Sequence, residues 1–194
     1  MTNLNAEQIL SKIIDSDPEY TGTGAEWTSK SHYMLLNDYA KKCNSVVEFG
    51  VYDWNTTWAF IAANLRKLRS YDGKINRGKF YRKNGGYHDV VSCCKKNKID
   101  FKFINEDTRY CIIEETDMLF LDTWHSYKQV NQELLQAQYV NKYIAFHDTI
   151  LYGKVGSGGE KGILYAIDEF LFNNRNWHKI EENTDGNGMI IIAR

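Results

Sequence analysis

The 194-residue sequence has a single proline, Pro18, and a surplus of Asn and Lys that bears on genome composition rather than on activity. Its four cysteines, Cys43, Cys93, Cys94 and Cys111, form no C-x-x-C pair and no zinc-like spacing with histidine. That excludes a disulfide-stapled scaffold and predicts reduced thiols. An excess of charge of one sign is also missing: 24 Lys and Arg against 25 Asp and Glu leave a formal charge of -1. Composition therefore offers no general attraction to nucleic acid or to an anionic membrane. No apolar run approaches the roughly 18 residues of a membrane span. The N-terminal MTNLNAEQILSKIIDSD lacks the charged, apolar and small-residue sections of a signal peptide, so a cytoplasmic protein is expected. Two ligand fingerprints are absent as well. No G-x-G-x-x-G is followed by an acid roughly 20 residues on, and the glycine-rich GKVGSGGEKG, residues 153 to 162, does not read GxxxxGK[ST]. A mobile flap over an acceptor site is the better reading of that loop.

What is present is enough apolar surface, 43% of residues with 14% aromatic, to bury a core in one domain. NAEQILSKIID and HYMLLNDYAKKC carry helical periodicity, the second with lysines at its end where they suit the helix dipole. SVVEFGVY then reads as a strand ending at a glycine, and TTWAFIAANLRKLR as a helix with a basic terminus. A short LRSYDG element, a basic loop, a helix at YHDVVSCCKKNK and the strand FKFIN follow. TDMLFLD and KYIAFHD are strands, KQVNQELLQAQYV and GILYAIDEFLFNN helices. WHKIEEN and MIIIAR flank TDGNG, whose Asp-Gly and Asn-Gly steps favour a hairpin turn. This alternation predicts an α/β fold with a doubly wound, mainly parallel sheet and a C-terminal antiparallel hairpin. A single domain over residues 1–194 is expected, with residues 1–40 as an N-terminal helical cap on a core spanning 41–194.

In such sheets ligands gather at the carboxyl ends of the strands. Glycine directly after the first strand, Gly50, lets backbone approach a ligand, and Glu48 before it can accept hydrogen bonds; the same E-x-G also reads as a plain strand end. Asp72 is either a ribose-binding acid or part of an Asp-Gly turn. Glu106 and Asp107 are either adenine or ribose contacts or capping residues. Asp122 in MLFLDTWHSYKQ and Asp148 in YIAFHDT follow apolar strands and would emerge on one edge. Two carboxylates there suit a hard divalent cation. His125 and His147 lie beside them as candidate general bases.

The series VVEFG, YDG, FLDTWHSY, AFHDT and NGMIIIAR resembles the class I S-adenosylmethionine-dependent methyltransferases over about residues 40 to 194. Within them it resembles the small O-methyltransferase branch that includes the macrocin O-methyltransferase-like and family 24 proteins. FLDTWH is also similar to the matching stretch of catechol O-methyltransferase. The resemblance implies a Rossmann-like fold, S-adenosyl-L-methionine as cofactor and Mg2+ as metal. It implies Asp122 and Asp148 as metal ligands, with Thr149 where an amide ligand is expected, and His125 in the place of the base. Glu48 and Gly50 would line the methionine and ribose end, Asp72 would bind the ribose, and Asp107 would face the adenine; Tyr52 and Asp122 complete the cofactor-binding set. One departure stands out. Relatives continue with further glycines, whereas here Asp53, Trp54 and Asn55 precede Thr56 and Thr57, and Trp54 is bulky enough to crowd the cofactor.

The expected reaction is O-methylation of a small hydroxylated acceptor such as a sugar or glycan unit. Two alternatives stay open: an N- or nucleic-acid methyltransferase without metal, and an inactive binding module on the same fold. The charge run RKLRSYDGKINRGKFYRK, residues 66 to 83, is the one basic, aromatic-laced segment, read either as a solvated loop or as a nucleic-acid contact. Nucleic acid is not the expected partner, and a homo-oligomer is left open.

Overall fold

The computed structural model describes residues 5–16, 29–52, 54–73 and 86–194. Helix α1 (Ala6–Ser16) opens with a reciprocal cap: Asn5 Oδ1 accepts from the Gln8 amide at 2.8 Å and Gln8 Oε1 from the Asn5 amide at 3.0 Å. Helix α2 (Lys30–Ala40) is capped by Ser29. Then come β1 (Ser45–Phe49), α3 (Asn55–Ala62), β2 (Lys67–Tyr71), α4 (Tyr87–Lys96), β3 (Asp100–Ile104) and β4 (Thr116–Leu121). The rest is α5 (Tyr127–Glu133), β5 (Val140–His147), α6 (Leu164–Asn173), β6 (His178–Asn183) and β7 (Met189–Ala193). One seven-stranded sheet has the order β3-β2-β1-β4-β5-β7-β6. Its first five strands are parallel; the expected antiparallel hairpin closes one end of the sheet, with β7 inserted between β5 and β6.

Period-2 alternation distributes the strand residues between two layers. Val46, Leu68, Met118, Phe120, Ala145 and Ile191 face α1 to α4, while Val47, Phe49, Leu119, Leu121, Ile144, Phe146 and Ile190 face α5 and α6. With both faces covered, each of these buried side chains larger than Ala145 contributes about 1.5–3 kcal/mol. The alternation also points Glu48, two residues from Val46, into the layer beneath α3.

Two elements differ from the sequence expectation. The helix read through Arg69 ends at Ala62, because Asn64 adopts a left-handed conformation (φ 59) and the chain turns into β2. Its basic terminus is a strand: Arg69 is 2% exposed, donating to the Asp100 carboxylate at 2.6 Å and to Glu114 at 3.2 Å. The rest of the charge run, from residue 74 on, lies outside the described residues. The helix KQVNQELLQAQYV tightens after Glu133 into a 3-10 turn over Leu134–Tyr139. All four cysteines are free, and no described helix is long and apolar enough to cross a membrane.

Candidate active site

The parallel ladder runs past the strand ends. Gly50 N donates to Tyr71 O at 2.9 Å, Asp72 N to Ile104 O at 3.1 Å and Asp122 N to Phe49 O at 2.9 Å. Gly50, Asp72 and Asp122 therefore share one edge of the sheet, with Asp107 beyond the end of β3 and Asp148 beyond the end of β5. Asp72 Oδ2 accepts from the Val51 amide at 3.1 Å and so ties the first two loops together. Asp107 is exposed and held by Arg109, whose Nε donates to it at 2.9 Å; that guanidinium keeps the carboxyl below its usual range. Tyr52 is 73% exposed.

Glu48 is fully buried and faces hydroxyls. Thr56 and Thr57, in the first turn of α3, donate to it at 2.6 and 2.8 Å, and Ser70 of β2 at 2.6 Å. Burial pushes its carboxyl up to about 7, against the three hydrogen bonds that favour the charged form. The sequence expectation put Glu48 against a ligand; here it anchors the turn that carries Gly50. Gly50 has φ +91, and a Cβ there would stand 1.9 Å from the Asp122 carbonyl oxygen, so the residue is glycine because two loops touch. Trp54, expected to crowd the edge, is 2% exposed and packs on Phe103 and Tyr87 in the helical layer.

Across the Gly50 contact the chemistry changes. His125 Nε2 lies 3.1 Å from Asp122 Oδ1 and 2.8 Å from Asp148 Oδ2. His147 Nδ1 lies 3.6 Å from Asp122 Oδ1 and 3.1 Å from Asp148 Oδ1. Burial disfavours both imidazolium ions, yet the paired carboxylates outweigh it and raise His125 to about 9 and His147 to about 10. Burial likewise opposes the charge on Asp122, but His147 and His125 hold it down at about 2, and the same two imidazoles depress Asp148. The structure thus brings Asp122, His125, His147 and Asp148 into one cluster. The ring of His125 stacks on Tyr152, centroids 4.8 Å apart and 6° from parallel.

No family model matches the chain, and no curated protein matches it in sequence. Solved structures do. The O-methyltransferase TomG from Streptomyces achromogenes, in complex with S-adenosylmethionine, matches with TM-score 0.64 at 13% identity, over 96% of this chain and 89% of that one. An O-methyltransferase from Bacillus cereus with S-adenosylhomocysteine gives 0.64 at 11%, over 95% and 90%. The S-adenosylhomocysteine-bound methyltransferase PaMTH1 from Podospora anserina gives 0.57 at 10%, over 95% and 86%. The chain has the Rossmann-like methyltransferase fold.

Several supports of this methyltransferase-fold edge were not read from the sequence. His32 of α2 is fully buried, its Nδ1 hydrogen-bonded to His147 Nε2 at 3.1 Å; burial and then the charge of His147 push it down to about 4. A histidine inside the apolar face of HYMLLNDYA was the available signal. Glu133, also fully buried, accepts from Thr108, Thr123 (2.8 Å) and Gln129 (2.7 Å), and so ties the loop after β3 to the loop carrying Asp122. Asp148 has φ +61, and the amides of Thr149 and Ile150 donate to Gly188 O and Asn187 O of the β6–β7 turn. The glycine-rich loop is pinned rather than free. Ser157 N donates to His125 O at 2.8 Å, Val155 pairs with Lys161, and a Cβ on Gly156 would meet His125 O at 2.5 Å.

Proposed function

We propose that this protein is an S-adenosylmethionine-dependent O-methyltransferase acting on a small hydroxylated acceptor such as a sugar or glycan unit. The observation that carries the reading is the single sheet edge on which a satisfied, acid-lined half meets a charged carboxylate–imidazole half at Gly50. In the first half Asp72 is assigned to the ribose hydroxyls, which one carboxylate can accept together, and Asp107 to the adenine side. Gly50 and Tyr52 line the methionine end. Glu48 serves them indirectly, by holding the turn.

The bound donor would supply a methyl group on a sulfonium, a leaving group that departs neutral. What remains for the chain is alignment of the acceptor oxygen and removal of its proton. His125, at the rim and fixed by Tyr152, is assigned to that hydroxyl and takes its proton only in the neutral form, which the two carboxylates disfavour below about pH 9; His147 lies behind it and acts only through Asp122 and Asp148. These two carboxylates fit a divalent cation, Mg2+ on the family resemblance. Both belong to one compact group with His125, and Asp148 Oδ1 is buried without a hydrogen-bond partner. Such an ion would lower the pKa of a bound hydroxyl. Exposed Trp124 offers a flat apolar face for the C–H face of a sugar ring, which favours a glycan acceptor. The inactive-module alternative loses one of its two motives, because Trp54 is withdrawn into the core, and keeps the other, the missing glycines.

Calorimetric titration with S-adenosylhomocysteine tests the donor half; saturable binding is expected, and none at millimolar ligand would sink the assignment. Transfer of labelled methyl from S-adenosylmethionine to a panel of free sugars and glycans tests the acceptor, with labelled product confined to hydroxyl oxygens as the expected result.

A further inference from the structure

Asp122, His125 and Asp148 each present one donor atom, all within 4.8 Å of one another. His125 Nε2 stands 3.1 and 2.8 Å from the two carboxylate oxygens. Around a divalent ion with bonds of about 2.1 Å, neighbouring donors stand roughly 3.0 Å apart in an octahedron and roughly 3.4 Å in a tetrahedron. The two spacings at His125 therefore suit donors that share one ion. A plain imidazole–carboxylate network has similar spacing, and the orphaned atoms separate the two cases. His147 Nδ1 and Asp148 Oδ1 belong to residues 3% and 6% exposed and approach to 3.1 Å as an ion pair, yet the contact lacks the alignment of a hydrogen bond. A network complete in itself aligns such a pair, since an unpaired buried polar atom costs about 1–3 kcal/mol. Both atoms border the three-donor group.

The kind of donor decides the kind of ion. Mg2+ prefers oxygen ligands and keeps several waters, whereas imidazole nitrogen suits the first-row transition ions. The His125 ring is held for that purpose, stacked on Tyr152 and fixed at its backbone by Ser157. Behind the group, His147 is itself oriented by His32, in the manner of the outer partners that aim metal ligands.

We propose that Asp122, His125 and Asp148 form a mixed oxygen–nitrogen site that binds first-row transition cations, for which Mn2+ and Co2+ serve as probes, in preference to Mg2+. His147 and His32 back it from the interior. The site deepens the acceptor half of the methyl-transfer reading, and rests on that reading for what the ion does but not for whether it binds. It makes the contribution of His125 to hydroxyl activation that of a ligand.

The test uses the full chain stripped with chelator and titrated separately with Mg2+, Mn2+ and Co2+. Mn2+ and Co2+ should bind at least roughly tenfold more tightly than Mg2+. Pulsed electron paramagnetic resonance of the Mn2+-loaded protein should show nitrogen modulation, changed by 15N-histidine labelling and lost in His125→Gln with its circular dichroism unaltered. Asp148→Asn should abolish binding of all three ions. Equal or tighter binding of Mg2+, no binding of any ion to folded protein, or an absence of nitrogen modulation would each overturn the proposal. The labelling arm decides even where His125→Gln fails to fold. A parallel titration with S-adenosylhomocysteine separates the two readings: its binding without an ion leaves the donor assignment standing, and an ion site without it removes that assignment alone.

Discussion

Two buried carboxylates end neighbouring regions of one sheet and have opposite surroundings. Glu48 receives three hydroxyl hydrogen bonds and is pushed up to about 7 by burial, while Asp148 lies against two imidazoles, is depressed, and keeps one oxygen unpaired. The difference teaches which of the two organises backbone and which is arranged for a ligand. A carboxylate whose acceptor sites are filled by its own chain has little left to offer a partner. One surrounded by positive charge and incompletely hydrogen-bonded has both the charge and the free lone pair that a cation or a reacting hydroxyl needs.

The seam between the regions is the most direct place to break the comparison. Gly50→Ala would put a Cβ 1.9 Å from the Asp122 carbonyl at φ +91, and should cost about 4 kcal/mol or more in chemical denaturation. Unchanged stability would mean that the two halves are not in contact. Glu48→Ala should cost about 3 kcal/mol by stranding three hydroxyls and leaving a cavity, and a loss no greater than that of an exposed acid would contradict an anchoring role.

His32→Ala should come next, at about 2 kcal/mol, from a small cavity and the lost partner of His147. Urea melts of the variant measure it, and a null effect would detach α2 from the site. The comparison also has a pH signature. The folded Glu48 carboxyl is raised to about 7 from a reference of 4.5, so its stabilising contribution is fully present below 4.5 and is lost as pH rises through about 7. Wild-type stability should therefore decline relative to Glu48→Gln across that window, and a constant difference from pH 4 to 8 would argue against a buried, protonatable Glu48. The smallest effect belongs to the exposed pair: Asp107→Asn should change stability by no more than about 0.5 kcal/mol while weakening S-adenosylhomocysteine binding by calorimetry.

Much of this was legible in the chain. The alternation of strands and helices, the terminal hairpin and the acids at the strand ends were readable because each is a local pattern. The end of α3 was not, since AFIAANLRKLR satisfies helical periodicity up to Arg69 and only the left-handed Asn64 and the pairing of the buried Arg69 with exposed Asp100 turn it into a strand. Nor was the role of Trp54, whose ring reads as an obstacle until Phe103 and Tyr87 are seen to enclose it. The glycine-rich loop read as mobile because its anchors, the His125 carbonyl and the Tyr127 amide that donates to Lys161 O, are made by folding.

By itself the sequence determined the fold class and the edge on which polar residues collect, because strand alternation and turn residues act over a few neighbours along the chain. Tertiary structure alone decided which carboxylate is filled by hydroxyls and which by imidazoles, and that His32 meets His147 from 115 positions away. Protonation and hydrogen-bond saturation depend on burial and on groups brought close from distant segments, which no local pattern encodes.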